Sequence, residues 1–153
     1  MAHLNIRLLG VAALAVTLLS GQAGAADAPK KSIKLGLMFG LTGAASPIGP
    51  VQLDGAKLAI DEVNAAGGLQ WGKEKLKVEY IVKDDETKPD IAIRRFREML
   101  DEDKVDAIVG QTFAPISAAL NKQVKQTPVA YFPVNVVALG MFAKDEMAPS
   151  TFA

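Results

Sequence analysis

The sequence predicts an α/β fold, a doubly wound parallel sheet of Rossmann-like type. Three observations carry that expectation. Short apolar runs recur at Ile33–Phe39, Val105–Val109 and Val129–Phe132, too short and continuous for amphipathic helices. Between the strands lie stretches whose apolar residues recur at spacings of three and four, the period of a helix with one buried face. Gly, Pro, Ser and Asp punctuate short connections, so strand and helix alternate as β-α-β-α-β-α-β, the order that gives a parallel sheet covered on both faces.

The first strand, Ile33–Phe39, runs into a Gly-, Thr-, Ser- and Pro-rich loop, Gly40–Pro50. In the helix that follows, Leu53, Ala56, Ile60 and Val63 share one face, with Gln52, Asp54, Lys57, Asp61 and Glu62 largely opposite. Asn64 and Gly67-Gly68 end it where a left-handed turn is needed. Gln70–Lys75 reads as a polar turn and Leu76–Val82 as a second strand, whose half-polar alternation suggests a sheet edge. Pro89 suits the start of a helix reaching about Asp101, with Ala92, Phe96, Met99 and Leu100 inward. Its Arg94, Arg95, Arg97, Glu98 and Glu102 read as a solvated face. After the third strand, Pro115 opens a helix that aligns Ile116, Leu120 and Val124. The fourth strand is Val129–Phe132, and Pro149–Ala153 has the character of a lead into another strand beside it.

Composition narrows the chemistry. The 153 residues are 50% apolar and carry 17 basic and 17 acidic side chains. That balance offers no electrostatic footprint for nucleic acid or an anionic membrane surface. Residues 1–25 read as a signal peptide: His3 and Arg7 lead, Leu8–Leu19 is apolar, and Ala23-Gly24-Ala25 has the small-x-small form of a cleavage site. The run is shorter than the roughly 20 apolar residues a membrane span needs. No cysteine is present for lipid attachment, and export to the periplasm follows as the expectation. His3 is the only histidine, so residues 26–153 lack both Cys and His. Thiol nucleophiles, Ser-His triads and nearly all zinc sites are thereby removed, and neither a metal nor a cofactor is expected. Gly40-Leu41-Thr42-Gly43 lacks the spacing of a nucleotide-binding fingerprint.

Several motifs together resemble the leucine/isoleucine/valine-type periplasmic binding proteins, the substrate-binding subunits of ABC importers. They are Lys34-Leu35-Gly36, Leu41-Thr42-Gly43-Ala44, Gly49, Gly55-Ala56, Ala59-Ile60 and Asn64-Ala65-Ala66-Gly67-Gly68. Downstream the match continues as Asp84-Asp85, Pro89 with Ala92, and Val105–Gly110. The resemblance implies that residues 26–153 form the first, truncated lobe of a type I periplasmic binding fold. It also implies a non-enzymatic protein that binds branched-chain amino acids or related small carboxylate or amide solutes and hands them to an ABC permease in the inner membrane. Two other classes share the fold type: a ligand-sensing domain, and a secreted flavodoxin-like enzyme built on Asp84 and Asp85.

In such sheets ligands gather at the carboxyl ends of the strands, so the loops Gly40–Pro50, Gly110–Pro115 and Pro133–Val137 should border the site. By resemblance, the ligand-contacting positions are Ile48 in the first loop, Thr112, Phe113 and Ala114 in the second, and Val134, Asn135 and Val136 in the third. A ligand carboxylate would sit on backbone groups and a Ser or Thr hydroxyl at the helix start that follows Gly110. Ala114 and Val136 stand where hydroxyl residues are common in amino-acid binders. Other roles suit the same residues: Thr112 and Ser117 as caps of helix-start amides, Ile48 and Phe113 as packing, Asn135 as a turn residue. Asp84 and Asp85 read as turn and helix-start groups.

Overall fold

The computed structural model describes residues 30–134 and 147–152. Residues 1–25, read as a signal peptide, and the site candidates Asn135 and Val136 lie outside the described residues. Strand β1 (Ser32–Phe39) leads through a short 3-10 turn (Gly43–Ala45) into helix α1 (Gly49–Ala65). Strands β2 (Leu69–Trp71) and β3 (Glu74–Asp84) follow, then α2 (Pro89–Asp101), β4 (Ala107–Gly110), α3 (Ala114–Gln126) and β5 (Ala130–Pro133). The sheet order is β2-β3-β1-β4-β5. Pairs β1–β3, β1–β4 and β4–β5 are parallel, and β2 alone is antiparallel.

The expected strands and helices are all present, with ends shifted by a few residues. One element was not anticipated. Part of the stretch read as a polar turn is β2, which pairs through Leu69↔Leu76 and Trp71↔Glu74. Its turn is Gly72-Lys73, and Gly72 at φ 61° supplies the left-handed step that a two-residue hairpin needs. Three residues, all exposed, leave too short an alternation to register as a strand. β3 is therefore covered by β2 along its first residues and is a true edge only past Leu76.

Strand alternation sorts β1 between two cores. Leu37 and Phe39 pack with Leu53 and Ile60 of α1 and with Val78. Met38 points to the other face, against Ala92, Phe96 and Met99 of α2 and Ile116, Leu120 and Val124 of α3. Gly36 lies on that second face too, because a Cβ there would meet the Met99 sulfur at 2.6 Å. One helix thus covers one face and two cover the other, since the chain crosses from β3 over to β4 on the far side of β1. The reversal places a switch point between β1 and β4. Beside β5, the Tyr131 amide donates to the Ser150 carbonyl (2.9 Å) and the Phe152 amide to the Tyr131 carbonyl (2.8 Å). Thr151 bridges Tyr131 in parallel, as the sequence led us to expect of this stretch.

Candidate functional site

Register brings the exits of all three loops together beside the switch point. Met38 is opposite Gly110, and Gly110 is opposite Pro133, so β1, β4 and β5 end side by side. Backbone bonds tie the exits: the Gln111 amide donates to the Met38 carbonyl (2.7 Å) and the Val134 amide to the Gly110 carbonyl (3.3 Å). Gly110, at φ 131°, leaves no room for a side chain, because a Cβ would lie 2.0 Å from the Met38 carbonyl oxygen.

The first loop is closed on itself as tightly. A Cβ on Gly49 would fall 2.0 Å from the Gly40 carbonyl oxygen, which is why the loop can fold back directly into α1. Ile48 is the residue before α1, with about half its side chain exposed (49%). Across the switch point, the buried Thr112 hydroxyl donates to the Gln52 side-chain oxygen at 2.9 Å and so joins the second loop to the first turn of α1. Gln52 was absent from the sequence-derived set. Nothing in a helix-face pattern marks a residue whose partner lies on a distant loop.

Phe113 is the N-terminal flanking residue of α3, in extended conformation, and Ala114 opens the helix. Phe113 supplies no side-chain cap, the Ser117 hydroxyl turns back to the Phe113 carbonyl, and the Thr112 hydroxyl donates to Gln52. Ser117 is therefore not the cap that the sequence allowed for. In the first turn Pro115 has no N–H and the Ile116 and Ser117 amides donate to the Phe113 carbonyl (3.0 and 3.1 Å), so the Ala114 amide and the positive end of the dipole are what the helix start offers a carboxylate. Phe113 (36% exposed) and Val134 (49%) are large apolar groups open to solvent beside it. Ile48, Thr112, Phe113, Ala114 and Val134 are thus at the carboxyl end of the sheet.

Beneath this end lies a buried polar network. Gln111, held at φ 57°, is completely buried, and its side-chain amide donates to the Tyr131 hydroxyl. Burial pushes the Tyr131 phenol well above its ordinary range, although bonds with Ser117 and Gln111 oppose it. The phenol is a neutral structural post under the site.

Asp84 and Asp85 close the region from the β3 side. Each forms a local turn, Asp84 accepting from the Glu86 amide (2.8 Å) and Asp85 from the Thr87 amide (2.7 Å). The turn role holds; the helix-start role does not, since α2 begins after Lys88 without a side-chain cap. Asp84 also reaches the first loop, accepting from the Leu41 amide (2.9 Å) and the Thr42 hydroxyl (2.6 Å). Among the described residues, no cluster of three or more acidic, His or Cys groups could hold a metal.

The family profile described as "Periplasmic binding protein" matches residues 32–153. The chain is 29% identical over 125 residues to a Leu/Ile/Val-binding protein homolog 7 of Brucella abortus, covering 82% of this chain and 30% of that protein. An amino acid binding protein of Pseudomonas aeruginosa is 34% identical over 101 residues, covering 66% of this chain and 25% of that one. Among solved structures, a branched-chain amino acid transporter substrate-binding protein from Streptococcus pneumoniae, in complex with isoleucine, superimposes with a TM-score of 0.67 at 28% identity, covering 72% of this chain and 31% of that chain. An ABC transporter substrate-binding protein from Sphaerobacter thermophilus gives 0.66 at 28%, with coverages of 79% and 31%. The chain spans about 30% of the length of the curated relatives it matches first. It has the type I periplasmic binding fold and belongs to the periplasmic binding protein family, a class of substrate-binding proteins rather than enzymes.

Proposed function

We propose that this chain supplies the first-lobe wall of a periplasmic solute receptor that serves an ABC importer. The solute is a small carboxylate with an apolar side chain, a branched-chain amino acid or a relative of one. The carrying observation is the start of α3: the Ala114 amide at the positive end of the helix dipole, with Thr112 beside it and Phe113 and Val134 exposed around it. An anionic head belongs at the Ala114 amide and the helix dipole, and an apolar tail belongs against the exposed side chains. Ile48 contributes a further apolar wall, and Asn135 and Val136 are assigned to the site by the family resemblance alone. The names of the relatives support this class of solute, and the family supports an exported location with a permease as partner. The signal-peptide reading of residues 1–25 agrees with that route.

Isothermal calorimetry with L-leucine, L-isoleucine, L-valine and benzoate tests the proposal. Saturable heat with at least one of them, lost with the corresponding amide or alcohol that lacks the carboxylate, is the expected result. Equal binding of the carboxylate and its uncharged analogue would contradict a carboxylate seat at α3.

A further inference from the structure

The β3–α2 connection contains a conformational oddity. Glu86 (φ 51°) and Thr87 (φ 58°) are consecutive non-glycine residues in the left-handed region. For a β-branched residue that conformation is a genuine outlier, and such strain persists only where the surroundings over-determine it. Here the surroundings are the first site loop. The Thr87 hydroxyl accepts from the Ala45 amide (2.9 Å) and donates to the Thr42 carbonyl (2.9 Å), spanning the 3-10 turn of Gly43–Ala45. Asp84, three residues before Thr87, holds the same loop through the Leu41 amide and the Thr42 hydroxyl. The two segments are pressed together, since a Cβ on Gly43 would lie 2.4 Å from the Glu86 carbonyl oxygen.

We propose that Thr87, assisted by Asp84, is the positioning residue of the first site loop: its strained backbone delivers one hydroxyl to both ends of the Thr42–Ala45 turn and thereby fixes the approach to Ile48 and α1. Thr87 touches no solute. The loop's bearing on solute affinity rests on the function proposed above, whereas the clamp itself does not.

The test uses the whole chain and three forms, wild type, Thr87→Val and Thr87→Ser, followed by residue-resolved amide hydrogen exchange. Valine keeps the shape and removes the hydroxyl; serine restores it. The Ala45 amide should exchange roughly three- to tenfold faster in Thr87→Val, the range expected for one hydrogen bond, and return toward wild type in Thr87→Ser. Exchange at Ile108 and Val109 in β4 should not change. An unaltered Ala45 amide, an equal acceleration in β4, or no recovery with serine would each overturn the clamp. L-isoleucine is the solute probe in a parallel titration, where the valine variant should bind three- to tenfold more weakly. If wild type shows no response to isoleucine, the solute assignment is contradicted, while the exchange data still decide the clamp.

Discussion

At the scale of single residues, the site depends on which side chains lack a hydroxyl and which carboxylates are buried. Ala114 brings no hydroxyl of its own to the start of α3. Ala114→Ser should strengthen binding of an α-amino acid by about 1 kcal/mol, the contribution of one added hydrogen bond to a charged group, and calorimetry on both forms would show it. No gain would mean that this helix start does not meet the carboxylate. The adjacent aspartates behave oppositely with pH. Burial alone would raise Asp84, but the Thr42 hydroxyl and the Glu86, Thr42 and Leu41 amides outweigh it and hold the group below 3.8. Its contribution to stability is present above that value and lost as pH falls through the lowered one. Asp85 is raised above 3.8, chiefly by burial and further by the Asp84 charge, against the Thr87 amide bond. Its second oxygen is buried without a hydrogen-bond partner. Asp85 therefore favours the fold most at low pH, and that advantage declines as pH rises from 3.8 through the raised value. Asp85→Asn should accordingly gain stability relative to wild type between pH 4 and pH 7, read from chemical denaturation midpoints. Parallel pH profiles would contradict the assignment. The loop residues and the Asp84-Asp85 turn were legible in the sequence. The reach of Asp84 to Leu41 and of Thr112 to Gln52 was not, because neither bond leaves a trace in local spacing.

At the scale of elements, the end of α1 shows how a motif acquires its residues. The Asn64 side chain accepts from the Val78 amide and donates to the Val78 carbonyl, both at 2.8 Å. Val78 lies just past Leu76, where β2 stops covering β3. The Asn64 amide therefore occupies the outer edge of β3 in place of a neighbouring strand, at a point where free backbone groups would invite pairing with other chains. Gly68 must be glycine for the same close approach, since φ is 114° and a Cβ would lie 2.3 Å from the Leu76 carbonyl oxygen. Asn64→Ala should cost about 1–3 kcal/mol, because both Val78 groups lose their partner. Thermal unfolding checks this, and a loss below a few tenths would show that water replaces the side chain without penalty. The sequence marked Asn64 and the glycine pair as a helix stop, which they are. Their second task, edge protection, depends on a strand length that was underestimated once β2 had been read as a turn.

At the scale of the molecule, the parallel order and the switch point were legible because apolar runs and helical periods alternate strictly from Ile33 to Phe132. What the pattern did not disclose is the uneven cover of the sheet. α1 shields β1 and β3, and beside it a cleft of about 350 Å³ is lined by Ile33, Leu35, Trp71, Ala107, Ala130 and Phe132. Phe132 stacks there on Phe152, with ring centroids 5.1 Å apart. The proposed solute seat is at the other end of β1, β4 and β5, where the strands finish. A site-resolved titration tests that placement most directly. Amide chemical shifts recorded during addition of L-isoleucine should move in a saturable way at Thr112, Phe113 and Ala114, with smaller changes at Ile48 and Val134 and none at Lys30, Trp71 or Asp106. Shifts confined to the cleft around Trp71, with the α3 start silent, would contradict it.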